Sequence, residues 1–415
     1  MYSWVKRSNV YYGWFVAVAC FLGATVVFGV SYSFGVFFDR MLVEFGRSRG
    51  ETSLIFGVQT FVMYVGAAVV GGFVDRYGTR PLLLTSMGFL TVGLGGLALS
   101  TSFLQVLLFY GVVTSLGLSI VYVVSFATVP RWFDRRRGFA GGLASSGTGV
   151  GMLVATPAAS ALIVAVGWRW TYGLFLVGAL AMLAVAVAFV ADSPRRLDVD
   201  AAVEFDGGAP AEREAMPWRA QLRETIAVAR TPSFLLVLVG WVCIYATLYV
   251  VFAHLVVYTT DAGLGRGVGV WALTLVGAAT SVARLGIGHV ADRLGRTRVF
   301  VACSATMGIS TLVLAATESA TAVFVFALVY GTAYGGNGAL LSPLTADLFG
   351  AENINVVFGL VSVSFAISGL LAPPSAGLVY DAFASYAPAF AVSGALGILG
   401  AGMVAAADRL TTTTG

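Results

Sequence analysis

Charged side chains are scarce in this sequence of 415 residues: Asp, Glu, Lys and Arg together make 11% of it. A soluble domain carries about 25%, so most of this chain's surface must face lipid rather than water. Lysine occurs once, at Lys6, and histidine twice, at His254 and His289. The three cysteines, Cys20, Cys243 and Cys303, stand far apart in separate apolar runs, where a thiol behaves as a small hydrophobe. That spacing excludes a disulfide framework and a metal cluster, and neither metal nor cofactor is expected. No G-x-x-x-x-G-K-[ST] run occurs, which removes a P-loop. No Asp or Glu lies in the interior of a long apolar run, and two histidines without internal carboxylates supply no nucleophile–base or acid pair. An enzyme is therefore not expected.

What the sequence has in quantity is hydrophobic residues, 58% of the chain, in runs near the 20 or so residues that cross a bilayer. Twelve runs are read: 11–38, 52–74, 81–100, 104–130, 136–164, 168–190, 232–260, 267–290, 298–316, 320–347, 354–380 and 386–407, here called spans 1 to 12. The opening MYSWVKRSNVYYGW leads into an apolar run too long for a signal peptide and without a small-residue cleavage site, so it reads as a retained first helix. Basic residues collect in alternate loops. Eighteen fall on the side of Lys6, Arg76, Arg131 and Arg409; five, Arg40, Arg47, Arg49, Arg169 and Arg266, fall on the other; Arg284 belongs to neither. The positive-inside rule makes both termini cytoplasmic in a multi-pass protein of the cell (inner or plasma) membrane. The formal charge of +4 thus records topology, not a nucleic-acid surface.

Residues 191–231 interrupt the apolar pattern with a polar stretch of mixed charge, whose second half, Trp218 to Arg230, can form an amphipathic surface helix. It divides a six-span unit, 1–190, from a second, 232–415. The two repeat one another. Gly71-x-x-x-Asp75-Arg76-x-Gly78-x-Arg80 follows span 2, and Gly288-x-x-x-Asp292-Arg293-x-Gly295 follows span 8, each shared residue displaced by 217 positions. Glycine-rich spans 5 and 11 correspond at nearly the same displacement, and small residues at such spacing let helix backbones approach closely.

Six plus six helices, a central loop and the repeated G-x-x-x-D-R-x-G resemble the major facilitator superfamily over nearly the whole chain. The resemblance implies an all-α membrane protein, with twelve transmembrane helices in two six-helix bundles related by a pseudo-two-fold axis and substrate held between them. On it, Asp75, Arg76, Arg80, Asp292 and Arg293, with Arg135 and Arg136 before span 5, form a gating set; the plainer alternative is surface charge that fixes orientation. Three segments, YYGWFVAVACFLGATVVFGVSYSFGVFF, RWFDRRRGFAGGLASSGTGVG and FAHLVVYTTDAG, together with an Arg midway along span 8, resemble the monocarboxylate transporter group. The likeness is to its prokaryotic branch, near the oxalate/formate antiporters. Two features of the animal transporters are missing: their Asp one turn before the span 8 Arg is Thr280 here, and their Lys in span 1 has no counterpart.

Arg284 stands eight residues, about 12 Å of helix, inside Asp292. A central Arg costs about 2.5–3.5 kcal/mol on insertion scales. With no internal acid to pair it, the expected counter-ion is a substrate carboxylate, held by two parallel hydrogen bonds. The oxalate antiporters pair this Arg with a Lys in span 11; here span 11 has neither Lys nor Arg, and one buried cation suits a monoanion. His254 in span 7 is the proton-coupling candidate, because an intramembrane ionisable group is functional by default; a histidine satisfied by a backbone carbonyl is the alternative. His289 reads as interfacial. Tyr122, Tyr330, Tyr334 and Asn337 are expected to offer donors in the same cavity, and Phe358 and Ser362 to wall it. The expectation is a monomeric, bilayer-embedded secondary transporter of a small monocarboxylate with H⁺. A carboxylate exchanger of the oxalate/formate kind is the alternative, followed by a non-transporting nutrient receptor, for which the short loop and tail provide no output domain.

Overall fold

Inside a bilayer no water meets backbone N–H and C=O groups, so each apolar run must satisfy them within a helix. The structure, a computed structural model, describes residues 11–133, 136–191, 227–317, 319–350 and 354–414, and among these the elements are helices joined by short turns. Eleven helices are long and apolar enough to cross a membrane, and one of them, Gly138–Phe189, is two spans in one run, broken at Gly167 (φ 80°). Twelve spans result. Span 1 is longer than the sequence suggested: Gly13–Phe45 rather than 11–38. Its extra turns carry Asp39, whose carboxylate faces another helix rather than solvent. Span 2 begins on a reciprocal cap, with Ser48 Oγ accepting from the Glu51 N–H and Glu51 Oε2 accepting from the Ser48 N–H, both 3.1 Å. Span 11 comes in two pieces, Ile354–Val361 and Val363–Phe383, separated at Ser362.

The repeated motif acquires a conformational reason. Gly78 and Gly295, its final glycines, sit at φ 83° and 93° in the turns that fold span 3 back on span 2 and span 9 back on span 8. A Cβ would strain both turns.

Within the first half span 1 packs on span 5 and span 2 on span 4; within the second, span 7 packs on spans 11 and 12 and span 8 on span 10. Between the halves span 2 meets span 11 and span 5 meets span 8. A two-fold operation that exchanges spans 2 and 8, and 5 and 11, turns one of these contacts into the other.

Glycine allows both. A Cβ on Gly277 would lie 2.7 Å from the Gly149 carbonyl oxygen, and one on Gly57 3.0 Å from that of Leu370. Among the described residues these contacts run from the arginine-poor end to about mid-span. On spans 5 and 8 the last are Gly142 against the Arg284 carbonyl and Ser145 against the Arg284 side chain; on spans 2 and 11 Tyr64 meets Phe365. Beyond them, Gly71, Gly72, Gly138, Gly141, Gly286, Gly288 and Gly359 have no atom within 4 Å of a would-be Cβ. The halves are clasped at the arginine-poor end and part toward the arginine-rich end.

Candidate anion site at Arg284

Arg284 lies where the halves begin to part, with 7% of its surface exposed. Span 10 is drawn against span 8 just before it. Gly331 and Gly335 lie so close that added Cβ atoms would stand 2.6 and 2.7 Å from the carbonyl oxygens of Val276 and Thr280, and the Thr280 hydroxyl donates to the Gly331 carbonyl (3.0 Å). One turn on, the Arg284 guanidinium reaches span 10. It stands 5.5 Å from the centre of the Tyr334 ring and against the bare Cα of Gly338. Its Nη1 donates to the Ser145 carbonyl of the other half at 3.4 Å, its Nε has no hydrogen-bond partner, and among the described residues no carboxylate pairs with it. A buried guanidinium with an unused donor has the chemistry to take an anion.

An aromatic collar from both halves surrounds it. The Tyr334 and Tyr32 hydroxyls are 3.4 Å apart across the interface, and the Tyr32 ring lies 4.5 Å from that of Phe252. Tyr122 stacks edge-on to Tyr64 at 5.4 Å; Tyr64 lies 5.0 Å from Phe365, which in turn meets Tyr245 at 4.4 Å. Tyr122 and Tyr334 are therefore brought to the Arg284 region. Tyr330, one turn before Tyr334, is fully buried with its hydroxyl lacking a partner. Sequence reasoning missed Tyr32, Tyr64 and Phe365, which carry no charge to set them apart from packing residues.

Two expectations are corrected. Asn337 does not turn to the cavity: its Oδ1 accepts from the Tyr245 hydroxyl and its Nδ2 donates to Ser304 Oγ at 2.8 Å, tying span 10 to spans 7 and 9. Nor does His254 share the cavity with Arg284. It is fully buried near the arginine-poor end, with Nε2 2.9 Å from the Pro373 carbonyl and 3.3 Å from Ser53 Oγ, and Nδ1 3.0 Å from the Tyr386 hydroxyl. The carbonyl can only accept, so Nε2 carries a proton, and a neutral ring then accepts from Tyr386 through Nδ1. Ser362 separates the two pieces of span 11, and its carbonyl accepts from the Phe365 N–H (3.0 Å). The Phe358 side chain lies outside the described set.

Tyr386 leads to the clasp. Arg49 Nη1 donates to its hydroxyl (3.0 Å), and the same guanidinium grips Asp261 of span 7 through both nitrogens, at 2.5 and 3.1 Å, while lying 3.6 Å from the Tyr380 ring centre. The backbone N–H groups of Arg49 and Gly50, at the positive end of span 2, donate to the two Asp381 oxygens at 3.0 Å each. On the other flank Arg266, first residue of span 8, reaches Asp39 (3.2 Å), Ser160 Oγ (3.1 Å) and the Val36 carbonyl (2.6 Å) in the first half. Arg49 and Arg266 are 217 residues apart, the offset that relates Gly71 to Gly288, and each begins the equivalent helix.

At the arginine-rich end the contacts described stay within one half. Arg80 donates to the carbonyls of Val190 (2.8 Å) and Ala188 (3.4 Å), which places it as a cap on span 6. Arg296 bridges Asp292 (3.6 Å) and Asp347 (2.9 Å). Arg76, Arg136 and Arg293 are exposed. Arg135 and the Asp75 side chain, two further members of the expected gating set, lie outside the described residues, as does most of the 191–231 loop.

A family model described as Major Facilitator Superfamily matches residues 20–270 and 260–413. Monocarboxylate transporter 3 of Rattus norvegicus is 28% identical over 388 residues, 92% of this chain and 77% of that protein. Monocarboxylate transporter 13 of the same animal is 27% identical over 395 residues, 95% and 88%. Among solved structures, a D-xylose–proton symporter aligns with a TM-score of 0.72 at 14% identity, covering 95% of this chain and 97% of that one. That last likeness concerns the fold.

Proposed function

The chain belongs to the Major Facilitator Superfamily, and from that premise we propose that this secondary transporter moves a small monocarboxylate of the lactate or pyruvate type together with H⁺ by alternating access. One observation carries the reading: an arginine 7% exposed, at the line where the halves part, with an unused Nε donor and no acid to pair it among the described residues. A carboxylate offers two oxygens in the geometry of the guanidinium fork. One fixed positive charge beside neutral phenols favours a monoanion. The relatives named monocarboxylate transporters support the same substrate class.

The arginine distribution puts the arginine-rich end, and both termini, on the cytoplasmic side of the cell membrane; the form described is then inward-open, with Arg49 and Arg266 closing the outer face. His254 carries the proton in this scheme, acting on the clasp rather than on the substrate. A proton on Nδ1 would direct a second cation at the Tyr386 hydroxyl that already accepts from Arg49, so a charged His254 works against closure. Each chain holds a complete site and acts as a monomer. The second reading, a carboxylate exchanger, is favoured by one fact: the ionisable side chains drawn around Arg284 among the described residues are tyrosines.

Uptake of radiolabelled lactate, pyruvate, formate and oxalate into proteoliposomes, with and without a pH gradient, separates the two readings. Symport predicts lactate or pyruvate accumulation driven by the gradient; exchange predicts uptake only against internal anion. Transport at the wild-type rate by Arg284→Ala, at normal expression, would refute both.

A further inference from the structure

We propose that Gly338 is a positioning residue for the anion site, its missing side chain fixing where the Arg284 guanidinium lies. The proposal rests on Arg284 being the carboxylate anchor. A Cβ built on Gly338 would overlap Nη2 and stand 3.0 Å from Cζ and 3.5 Å from Nε; these are its three nearest atoms, all from one side chain. Gly338 thus packs on the flat face of the guanidinium beside Nη2 and sets the plane of the fork, whose Nε–Nη2 edge can take a carboxylate in bidentate fashion. That edge also includes the buried donor left without a partner.

The other close glycines of span 10 have a different task. Cβ atoms on Gly331 and Gly335 would collide with backbone of span 8, so those glycines set how near the two helices lie. One on Gly338 would meet only the far end of a flexible side chain. A methyl there leaves the helices in place and pushes the guanidinium aside, tilting the fork away from the incoming carboxylate. Tyr334, one turn earlier on the same face, is the other part of the shelf. Helix propensity pushes the opposite way, because Ala is favoured over Gly by about 1 kcal/mol in a helix interior. Conformational preference argues for alanine at this position; the guanidinium argues for glycine.

The test is equilibrium binding of radiolabelled pyruvate and L-lactate to purified protein, with thermal midpoints measured on the same samples. The variants are Gly338→Ala, Arg284→Ala, Arg284→Lys, and the double variant that combines Arg284→Lys with Gly338→Ala. Gly338→Ala alone should weaken binding by about tenfold or more, as sub-ångström misplacement of a binding group does, with the midpoint unchanged or raised. Arg284→Lys removes Nη2 and the planar fork, so adding Gly338→Ala to it should cost less than about twofold, a coupling that a general packing effect would not produce. Binding by Gly338→Ala within about twofold of wild type, while Arg284→Ala does not bind, overturns the role of Gly338 alone. An equal loss when Gly338→Ala is added to Arg284→Lys, or a loss that tracks a lowered midpoint, overturns it too. Wild-type binding by Arg284→Ala instead overturns the anchor on which it rests.

Discussion

Replacing Arg49 with Gln removes the centre of one flank of the clasp and leaves its surroundings intact. The side chain is 13% exposed and its partner Asp261 29%, so the pair lies between two measured regimes. Exposed pairs are worth about 0.2–1 kcal/mol, and breaking a buried one costs about 3–5. A bidentate, half-sheltered pair is worth about 2 kcal/mol on that scale, and the guanidinium 3.6 Å from the Tyr380 ring centre adds about 0.5–1. The backbone donors to Asp381 survive the substitution. Closure at this end should therefore weaken by about 2–3 kcal/mol, a shift of roughly 30- to 150-fold in the ratio of closed to open forms. Spin labels at Val43 and Phe383, both exposed and on opposite halves of the arginine-poor end, read that ratio once the three native cysteines are replaced. Double electron–electron resonance should show a longer distance gaining population in Arg49→Gln and less of it in Arg49→Lys, which keeps the charge without the fork. Anion binding through Arg284 should persist. A distance distribution identical to wild type in Arg49→Gln would refute the assignment of this contact as a closing one.

Different physics made some parts of this molecule readable from sequence and hid others. Arg284 was legible because lipid depth is counted along a helix, and eight residues from Asp292 fix it. The same count applied to His254, seven residues before Asp261 at the opposite end of the membrane, sets it about 10 Å inside the other face and so away from Arg284. Azimuth was not legible. A helix apolar all round has no preferred face, so nothing in span 1 or span 2 marked Tyr32 or Tyr64 as interfacial and other aromatics as packing. Asn337 shows the limit at short range. Three residues past Tyr334 it stands about 60° short of a full turn, offset enough to face spans 7 and 9. A widened helical turn at Leu107–Thr114, where Ser115 Oγ reaches back to the Tyr110 carbonyl, also left no mark in the residue pattern. The clasp was half visible: the 217-residue offset pairs Arg49 with Arg266, whereas their acids, Asp261, Asp381 and Asp39, obey no such offset and had to be found in space.

Three further outcomes follow from the same geometry. Arg266→Gln should loosen the other flank and, because Arg266 holds Asp39, Ser160 and Val36 while Arg49 holds Asp261 and Tyr386, add to Arg49→Gln in the spin-label measurement within about 0.5 kcal/mol; strong non-additivity would mean that the two flanks are one cooperative contact. Asn337→Ala leaves the Tyr245 hydroxyl and Ser304 without their partner and should lower stability by about 1–3 kcal/mol in thermal unfolding while changing pyruvate affinity little; a large affinity loss with unaltered stability would return Asn337 to the cavity. His254→Gln preserves both directions of hydrogen bonding, since its amide can donate to the Pro373 carbonyl and accept from Tyr386, but it cannot take up a proton near neutral pH. The carrier should then still exchange labelled for unlabelled substrate at close to the wild-type rate, because Arg284 and the collar are untouched. Driven by a pH gradient it should fail to accumulate substrate, because no second cation can form beside Arg49 to oppose closure. Normal accumulation by His254→Gln would show that the proton crosses by another route and that this histidine only fastens span 7 to span 11.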